Sequence, residues 1–320
     1  MSLSQEVFTV VKNLPQYLDD YLCLRVSLGY ASHPQYPVRE FVGYLMDKYP
    51  QADCITKELF DSWLNQRTFL SLAGHADAIS RIRMFLRYLR SISGKDVFVP
   101  GDDYSVRKVK PYPYIYTDDE LERLFAAIDS FPPDYHSPMR EYIVPVLFRI
   151  MYCCGMRPQE PASIRKEDFN LDTGEIYIRQ SKRQRDRRLI ISSDLLSLCR
   201  KYAGIVRTET YFLERTPGEK ITTSWVDRQF NLAWNLSGLE KRGATPRPYD
   251  FRHNFATRTI IRWLDEGRDV HTLMPFLSAY LGHTTLDSTL YYIHLVPENL
   301  LKSKGIDWSR FSSLYQEVPQ

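Results

Sequence analysis

Two arginines, a lysine, two histidines and a tyrosine between positions 157 and 292 of this chain have the chemistry needed to cut a phosphodiester. They are Arg157, Lys182, Arg252 and His253 within Tyr249-Asp250-Phe251-Arg252-His253, His283 within Leu281-Gly282-His283, and one of the pair Tyr291-Tyr292. A guanidinium grips phosphate through planar, bidentate hydrogen bonds, a lysine delivers a proton, and a tyrosine hydroxyl attacks phosphorus to form a covalent intermediate. That chemistry needs no metal, and no cofactor is expected.

Length and composition bound what can position these groups. At 320 residues the chain exceeds what one compact core usually covers, so two domains are expected. Hydrophobic content of 43% and charged content of 25% are those of a globular protein. Met1 to Glu6 lacks a basic stretch followed by an apolar run, and no segment approaches the roughly 20 apolar residues that span a bilayer. A cytoplasmic protein without a membrane partner is the expectation. Cys23, Cys54, Cys153, Cys154 and Cys199 form an odd, scattered set without Cys-x-x-Cys spacing, which predicts reduced thiols and neither a disulfide nor a zinc site.

The net charge of +3 is small, but its distribution is uneven. From Arg179 to Arg188, the cations Arg179, Lys182, Arg183, Arg185, Arg187 and Arg188 face Asp186 alone, and a second basic region runs from Lys241 to Arg262. Either run alone would suit a solvated surface; together they favour a phosphate backbone.

Residues from about Leu14 to Ile92 read as short helices. Val38 to Met46 is apolar at helical spacing, and Thr56 is placed to cap the run carrying Phe60, Trp63 and Leu64. Between Ile79 and Ile92, the residues Ile82, Phe85, Leu86 and Leu89 make one face; Arg83, Arg87 and Arg90 make a second, expected to point outward and suited to DNA phosphates. The pattern breaks at Gly94, Pro100, Gly101, Pro111 and Pro113. This assigns a helical DNA-binding domain to residues 1–97, an extended linker to 98–116 and a second domain, with a C-terminal tail, to 117–320.

The second domain opens with a capped helix at Thr117-Asp118-Asp119-Glu120. An apolar helix around Tyr142 to Cys154 stops at Gly155, and Pro158 reads as the first-turn proline of another, with Glu160 near its positive end and available to Arg157. Asp172-Thr173-Gly174 is a turn, Glu175 to Arg179 a strand and Arg188 to Ser192 its partner, leaving Lys182 in the hairpin. Helix resumes from Phe251 to Leu264 and again near Thr284 or Thr285, where Leu286, Leu290 and Ile293 define a buried stripe. Both Tyr291 and Tyr292 fall off that stripe, so periodicity does not choose between them.

The order and spacing of Gly-Met-Arg157-Pro-Gln-Glu160, the hairpin Lys182, Asp-Phe-Arg252-His253-Asn-Phe-Ala-Thr, Leu-Gly-His283 and Tyr292-Ile-His294 resemble the catalytic domain of the tyrosine recombinases, over roughly Thr117 to Pro297. Residues 14 to 92 resemble that family's helical core-binding domain more weakly. The resemblance implies a mainly α protein with a small β-sheet: a helical (SAM-like) core-binding domain and a catalytic domain clamped around duplex DNA. It selects Tyr292, nine positions after His283, as nucleophile. Arg157 and Arg252 would hold the scissile phosphate, Lys182 would protonate the 5′-oxygen, Glu160 would organise the site, and His253 and His283 would position phosphate and tyrosine. Three residues before Arg252 the family most often has histidine, whereas this chain has Tyr249, a phenol that donates a hydrogen bond but offers no cation near neutral pH.

The implied partners are double-stranded DNA and three further copies of the chain, forming a tetramer on two sites with exchange of a tail carrying Trp308, Phe311, Leu314 and Tyr315. With the chain starting almost at the core-binding region, integration or excision of a mobile element, or chromosome resolution, is favoured over an arm-dependent integrase. A non-cutting DNA-binding accessory protein of the same fold and a type IB topoisomerase-like enzyme stand as alternatives.

Overall fold

The structure, a computed structural model, describes residues 11–30, 35–69, 71–94, 96–105, 112–181, 185–283 and 285–295. The chain divides into two compact units, Met1–Lys110 and Pro111–Gln320. Each has its own hydrophobic core.

The first unit contains helices α1 (Leu14–Ser27), α2 (Tyr36–Lys48), α3 (Lys57–Gln66) and α4 (Leu72–Ser93). The Ser71 hydroxyl accepts from Gly74 N at α4's start, and Gly94, at φ 62°, ends it. Along α4, Ile79, Ile82, Phe85, Leu86 and Leu89 are buried against Leu14, Phe41, Leu45 and Phe60. Each such side chain contributes about 1.5–3 kcal/mol of transfer free energy. Thr56 occupies the N-cap position of α3 without a side-chain capping bond.

The arginine stripe of α4 keeps its expected outward display at Arg87 and Arg90 and departs from it at Arg83. Arg83, partly buried, donates from Nε to Pro100 O at 2.7 Å; Arg87 and Arg90 are both exposed, although Arg90 Nε also donates to Val97 O at 2.7 Å. Val97 is buried and Phe98 N donates to Ile55 O, so residues 97–105 lie on the first unit's core, held in part by two of the three arginines. Backbone carbonyls beyond a glycine turn took guanidiniums that helical periodicity alone left facing water.

The second unit contains α5 (Asp118–Asp129), α6 (Arg140–Cys154), strands β1 (Phe169–Asn170), β2 (Glu175–Ser181) and β3 (Arg185–Ile190), then α7 (Ser193–Ile205), α8 (Thr223–Leu236), α9 (Asp250–Asp265), α10 (Val270–Leu281) and α11 (Asp287–Leu290), the last continued by a 3-10 turn over Tyr291–Leu295. The protein is therefore mainly helical with a small antiparallel sheet, ordered β1-β2-β3. A capping box starts α5: Glu120 N donates to Thr117 Oγ1 and Thr117 N to Glu120 Oε2.

Helix α6 is buried on most sides, and Phe251 of α9 anchors the core beside it, its ring within 5.5–6.0 Å of Tyr116, Phe125, Phe148, Tyr152 and Phe230. Asn254 ties the unit's entry segment to α9, accepting from Tyr116 N and donating to Tyr114 O. Phe251 and Asn254 flank Arg252 and His253. Rigid packing on both sides fixes where those two project.

Candidate active site

The second unit gathers Arg157, Glu160, Arg252, His253, His283 and Tyr292 around the ends of α6, α9 and α10. Helices α6 and α10 both end at a left-handed glycine, Gly155 at φ 58° and Gly282 at φ 65°. At Gly155 a Cβ would come within 2.6 Å of the Phe255 ring, so only glycine permits α9 to approach this closely. The carbonyls left at these two ends bind the arginines. Arg252 Nη1 donates to Gly155 O at 2.9 Å and Nη2 to Leu281 O, while Arg157 Nη2 donates to Gly282 O at 3.1 Å. Negative helix ends thus seat guanidiniums in the interior.

No α-helix follows Pro158: residues 158–160 form a turn and Pro161–Ser163 a short 3-10 helix. The turn is closed by Glu160, whose Oε2 accepts from Arg157 N at 2.8 Å and whose Oε1 accepts from Arg157 Nη1 at 2.9 Å. Arg187 completes the cluster with two further bonds to Glu160, at 2.9 and 2.8 Å. Burial opposes charge on Glu160, but the Arg187 hydrogen bonds and charge, with the Arg157 N–H and charge, hold its pKa below the ordinary carboxylate value. Among the described residues this one carboxylate meets Arg157 and Arg187 directly, with Arg252 beside them. The buried Nε atoms of Arg187 and Arg252 have no hydrogen-bond partner. The arrangement has donors and positive charge in surplus, which suits an oxyanion.

Arg187, grouped in the sequence with its neighbours as a contact to a phosphate backbone, points inward instead. Ile178 faces Arg187 and Ile176 faces Leu189 across the β2–β3 ladder, so Arg187 shares the buried face with those apolar residues. The alternation Arg187, Leu189, Ile191 carried that signal in the sequence. Arg179, on the opposite face, pairs with Asp168 and Glu167 and is about half exposed. Lys182 and Arg183 lie outside the described residues, as does the side chain of Arg185.

Tyr292 is 2% exposed, whereas Tyr291 is partly exposed and Leu286, expected in the buried stripe, is 41% exposed. The reason is a change of period. After Leu290 the chain tightens into a 3-10 turn, so Thr289 and Tyr292, three apart, face inward together. The Tyr292 ring stacks on His283 with centroids 6.0 Å apart and meets the His253 ring edge-on at 5.5 Å. Burial raises the Tyr292 hydroxyl to about 12, with the Arg252 charge pulling the other way. Tyr249 immediately precedes α9, its ring 5.2 Å from that of His253.

Both histidines are held neutral. Burial, reinforced by the charges of Arg252, Arg157 and Arg187, lowers His283 to about 3; burial with Arg247 and Arg252 lowers His253 to about 4. In an unfolded chain both return to near 6.5, so the unfolded state binds more protons as pH falls below that value. Stability from these two sites is therefore complete above pH 6.5 and declines as pH falls through 6.5 toward 4 and 3. Thermal melts across this range should show the loss, with a shallower slope for His283→Asn; an identical slope would place the proton uptake elsewhere.

Among the described residues no helix is long and apolar enough to cross a membrane, no group of three or more His, Cys, Asp or Glu side chains is placed to hold a metal ion, and the five cysteines are free.

Residues 115–299 match the phage integrase family. The putative integrase/recombinase y4rB of Sinorhizobium fredii (strain NBRC 101917 / NGR234) is 26% identical over 296 residues, covering 88% of this chain and 93% of that protein. Tyrosine recombinase XerA of Thermococcus kodakarensis is 27% identical over 262 residues, covering 74% and 84%. In fold the chain is similar to a lambda integrase dimer bound to a COC′ core site (TM-score 0.61, 20% identity, 87% of this chain and 76% of that one). It is likewise similar to XerH site-specific recombinase bound to difH substrate (TM-score 0.62, 16% identity, 92% and 95%).

Proposed function

The chain belongs to the phage integrase family, and from that premise we propose that it is a site-specific recombinase that cuts and rejoins duplex DNA through Tyr292. The observation that carries the reading is the enclosure of Tyr292 between two neutral histidines, beside the buried Arg252 and the Arg157–Glu160–Arg187 cluster. Arg157 and Arg252 hold the non-bridging oxygens of the scissile phosphate and stabilise the charge that develops there. Tyr292 Oη attacks phosphorus and its proton passes to water, the bond to the 5′-oxygen breaks, and Lys182 protonates that leaving oxygen. The product is a 3′-phosphotyrosyl enzyme and a 5′-hydroxyl. Attack on phosphorus by a 5′-hydroxyl from another strand reverses each step and rejoins DNA, since the phosphodiester's energy is kept in the covalent bond. Tyr249 donates a neutral hydrogen bond to the same phosphate.

On the first unit, Arg87, with Arg83 and Arg90 beside the segment they hold, contacts the phosphate backbone, and on the second unit Arg179, Arg183 and Arg185 near the hairpin do the same. Four protomers assemble on two DNA sites by exchanging C-terminal tails, whose residues lie outside the described ones, and the enzyme acts in the cytoplasm to integrate or excise a mobile element. The first unit, Met1–Lys110, supplies the core-binding domain and the second, Pro111–Gln320, the catalytic domain.

Covalent capture tests the chemistry. On a nicked target-site duplex the wild-type protein should form a protein–DNA adduct with EDTA present. Lys182→Ala should bind DNA but cleave slowly, and a 5′-phosphorothiolate at the scissile position should largely restore cleavage, because sulfur leaves without a general acid. Equal defects on both substrates would make Lys182 a positioning residue; metal-dependent cleavage leaving a free 3′-end would overturn the mechanism.

A further inference from the structure

His283 Nδ1 lies 2.6 Å from Thr289 Oγ1, and Thr289 is fully buried. Nothing in the reaction outlined above uses that hydroxyl. A neutral imidazole carries one N–H, and a hydroxyl can either donate or accept, so this contact admits two arrangements. In one, the ring's hydrogen sits on Nδ1 and points at Thr289, leaving Nε2 as a bare lone pair. In the other, the Thr289 hydroxyl donates to Nδ1 and the hydrogen sits on Nε2. Phosphate oxygens only accept. A lone pair turned toward them repels, whereas an Nε2–H binds.

Resting on the recombinase reading, we propose that Thr289 is a positioning residue: its hydroxyl donates to Nδ1 and fixes His283 as the tautomer that offers Nε2–H to the scissile phosphate. Two observations support the geometry. The low pKa of His283, about 3, means that protonation does not supply the second N–H and remove the choice. Thr289 also sits on the same inward face as Tyr292, with Thr289 N and Leu290 N both donating to Leu286 O to form the turn that carries the nucleophile. One short segment therefore presents the attacking hydroxyl, provides the ring on which His283 stacks, and sets that histidine's hydrogen. If the segment undocks, His283 loses its tautomer lock together with its stacking partner, so phosphate activation is tied to the presence of the nucleophile.

The test combines tautomer spectroscopy with kinetics on the full chain. In ¹⁵N-histidine-labelled protein, His283 should give the Nε2–H pattern, and Thr289→Val, which keeps the shape but loses the hydroxyl, should shift it toward Nδ1–H. On a nicked duplex at saturating protein, Thr289→Val should cleave about tenfold to a hundredfold more slowly, as for loss of one phosphate donor. Its DNA affinity should stay near wild type, and Thr289→Ser, with the hydroxyl restored, should recover most of the rate. An Nδ1–H signal in the wild type, or wild-type cleavage by Thr289→Val, overturns the proposal. So does slow cleavage by Thr289→Val with its Nε2–H signal unchanged, since the defect would then be one of packing. If the wild type itself forms no adduct, the recombinase reading fails, and the spectra still decide the tautomer.

Discussion

Replacing Tyr292 by phenylalanine should abolish the covalent protein–DNA adduct while leaving DNA binding and folding close to wild type. The substitution removes one oxygen and keeps the ring that packs between His253 and His283. Loss of a covalent nucleophile typically lowers the rate by at least about 10⁴-fold, well beyond the effect of any single supporting donor in the same site. Tyr291→Phe is the matched control. Tyr291 is partly exposed, its ring 6.4 Å from His253, and its hydroxyl has no part in the proposed attack. Trapping on a nicked duplex followed by denaturing electrophoresis separates the two variants. Adduct retained by Tyr292→Phe and lost by Tyr291→Phe would assign the nucleophile to the neighbouring residue and require the buried ring to have another purpose.

Much of the architecture was legible because it depends on contacts close in sequence. The Thr117–Glu120 box, the glycine stops at Gly94 and Gly155, the apolar face of α4 and the turn before β2 each announce themselves within a few residues. So did the Arg157–Glu160 pair, three positions apart. What stayed hidden depends on groups far apart in the chain or on a change of period. Helical spacing left Tyr292 off the buried stripe, and the tighter 3-10 turn brought it in. Helices α7, α8 and α10 are not among the elements that the sequence patterns predict, and Pro158 suggests a helix where the Glu160 carboxylate instead closes a turn. No local pattern states that Arg252 will bind carbonyls at the ends of α6 and α10, 97 and 29 residues away. Arg187 is the instructive case between these. Its inward face was readable from strand alternation, but a run of six cations drew it into a surface reading, and only the cross-strand partner Ile178 resolves it.

That inward arginine makes Glu160 a residue whose loss should cost much stability. Glu160→Ala leaves Arg157 and Arg187 buried without their shared carboxylate, and an uncompensated charge of this kind costs about 3–5 kcal/mol. Urea unfolding at pH 7 should therefore show a much lower midpoint than wild type, and cleavage should fall as well, since the freed Arg157 no longer has its side chain and backbone N–H fixed together. The sign of the pH dependence follows from the carboxylate's lowered pKa. Its stabilising contribution is complete above the ordinary carboxylate value near 4.5 and is lost as pH falls through the depressed folded value, so the gap between wild type and Glu160→Ala should narrow in acid. Comparing the two proteins at each pH reduces the influence of the histidine titrations, which both share. Adding Arg187→Met to Glu160→Ala should cost less than the two single losses combined, because the second change removes a charge that the first left unpaired. Strict additivity, or a Glu160→Ala midpoint equal to wild type at pH 7, would mean that water reaches these guanidiniums and that the carboxylate is a bystander. The predicted coupling instead makes Glu160 the common anchor of two elements distant in sequence, the turn after α6 and strand β3, and β3 leads directly back through the hairpin to Lys182.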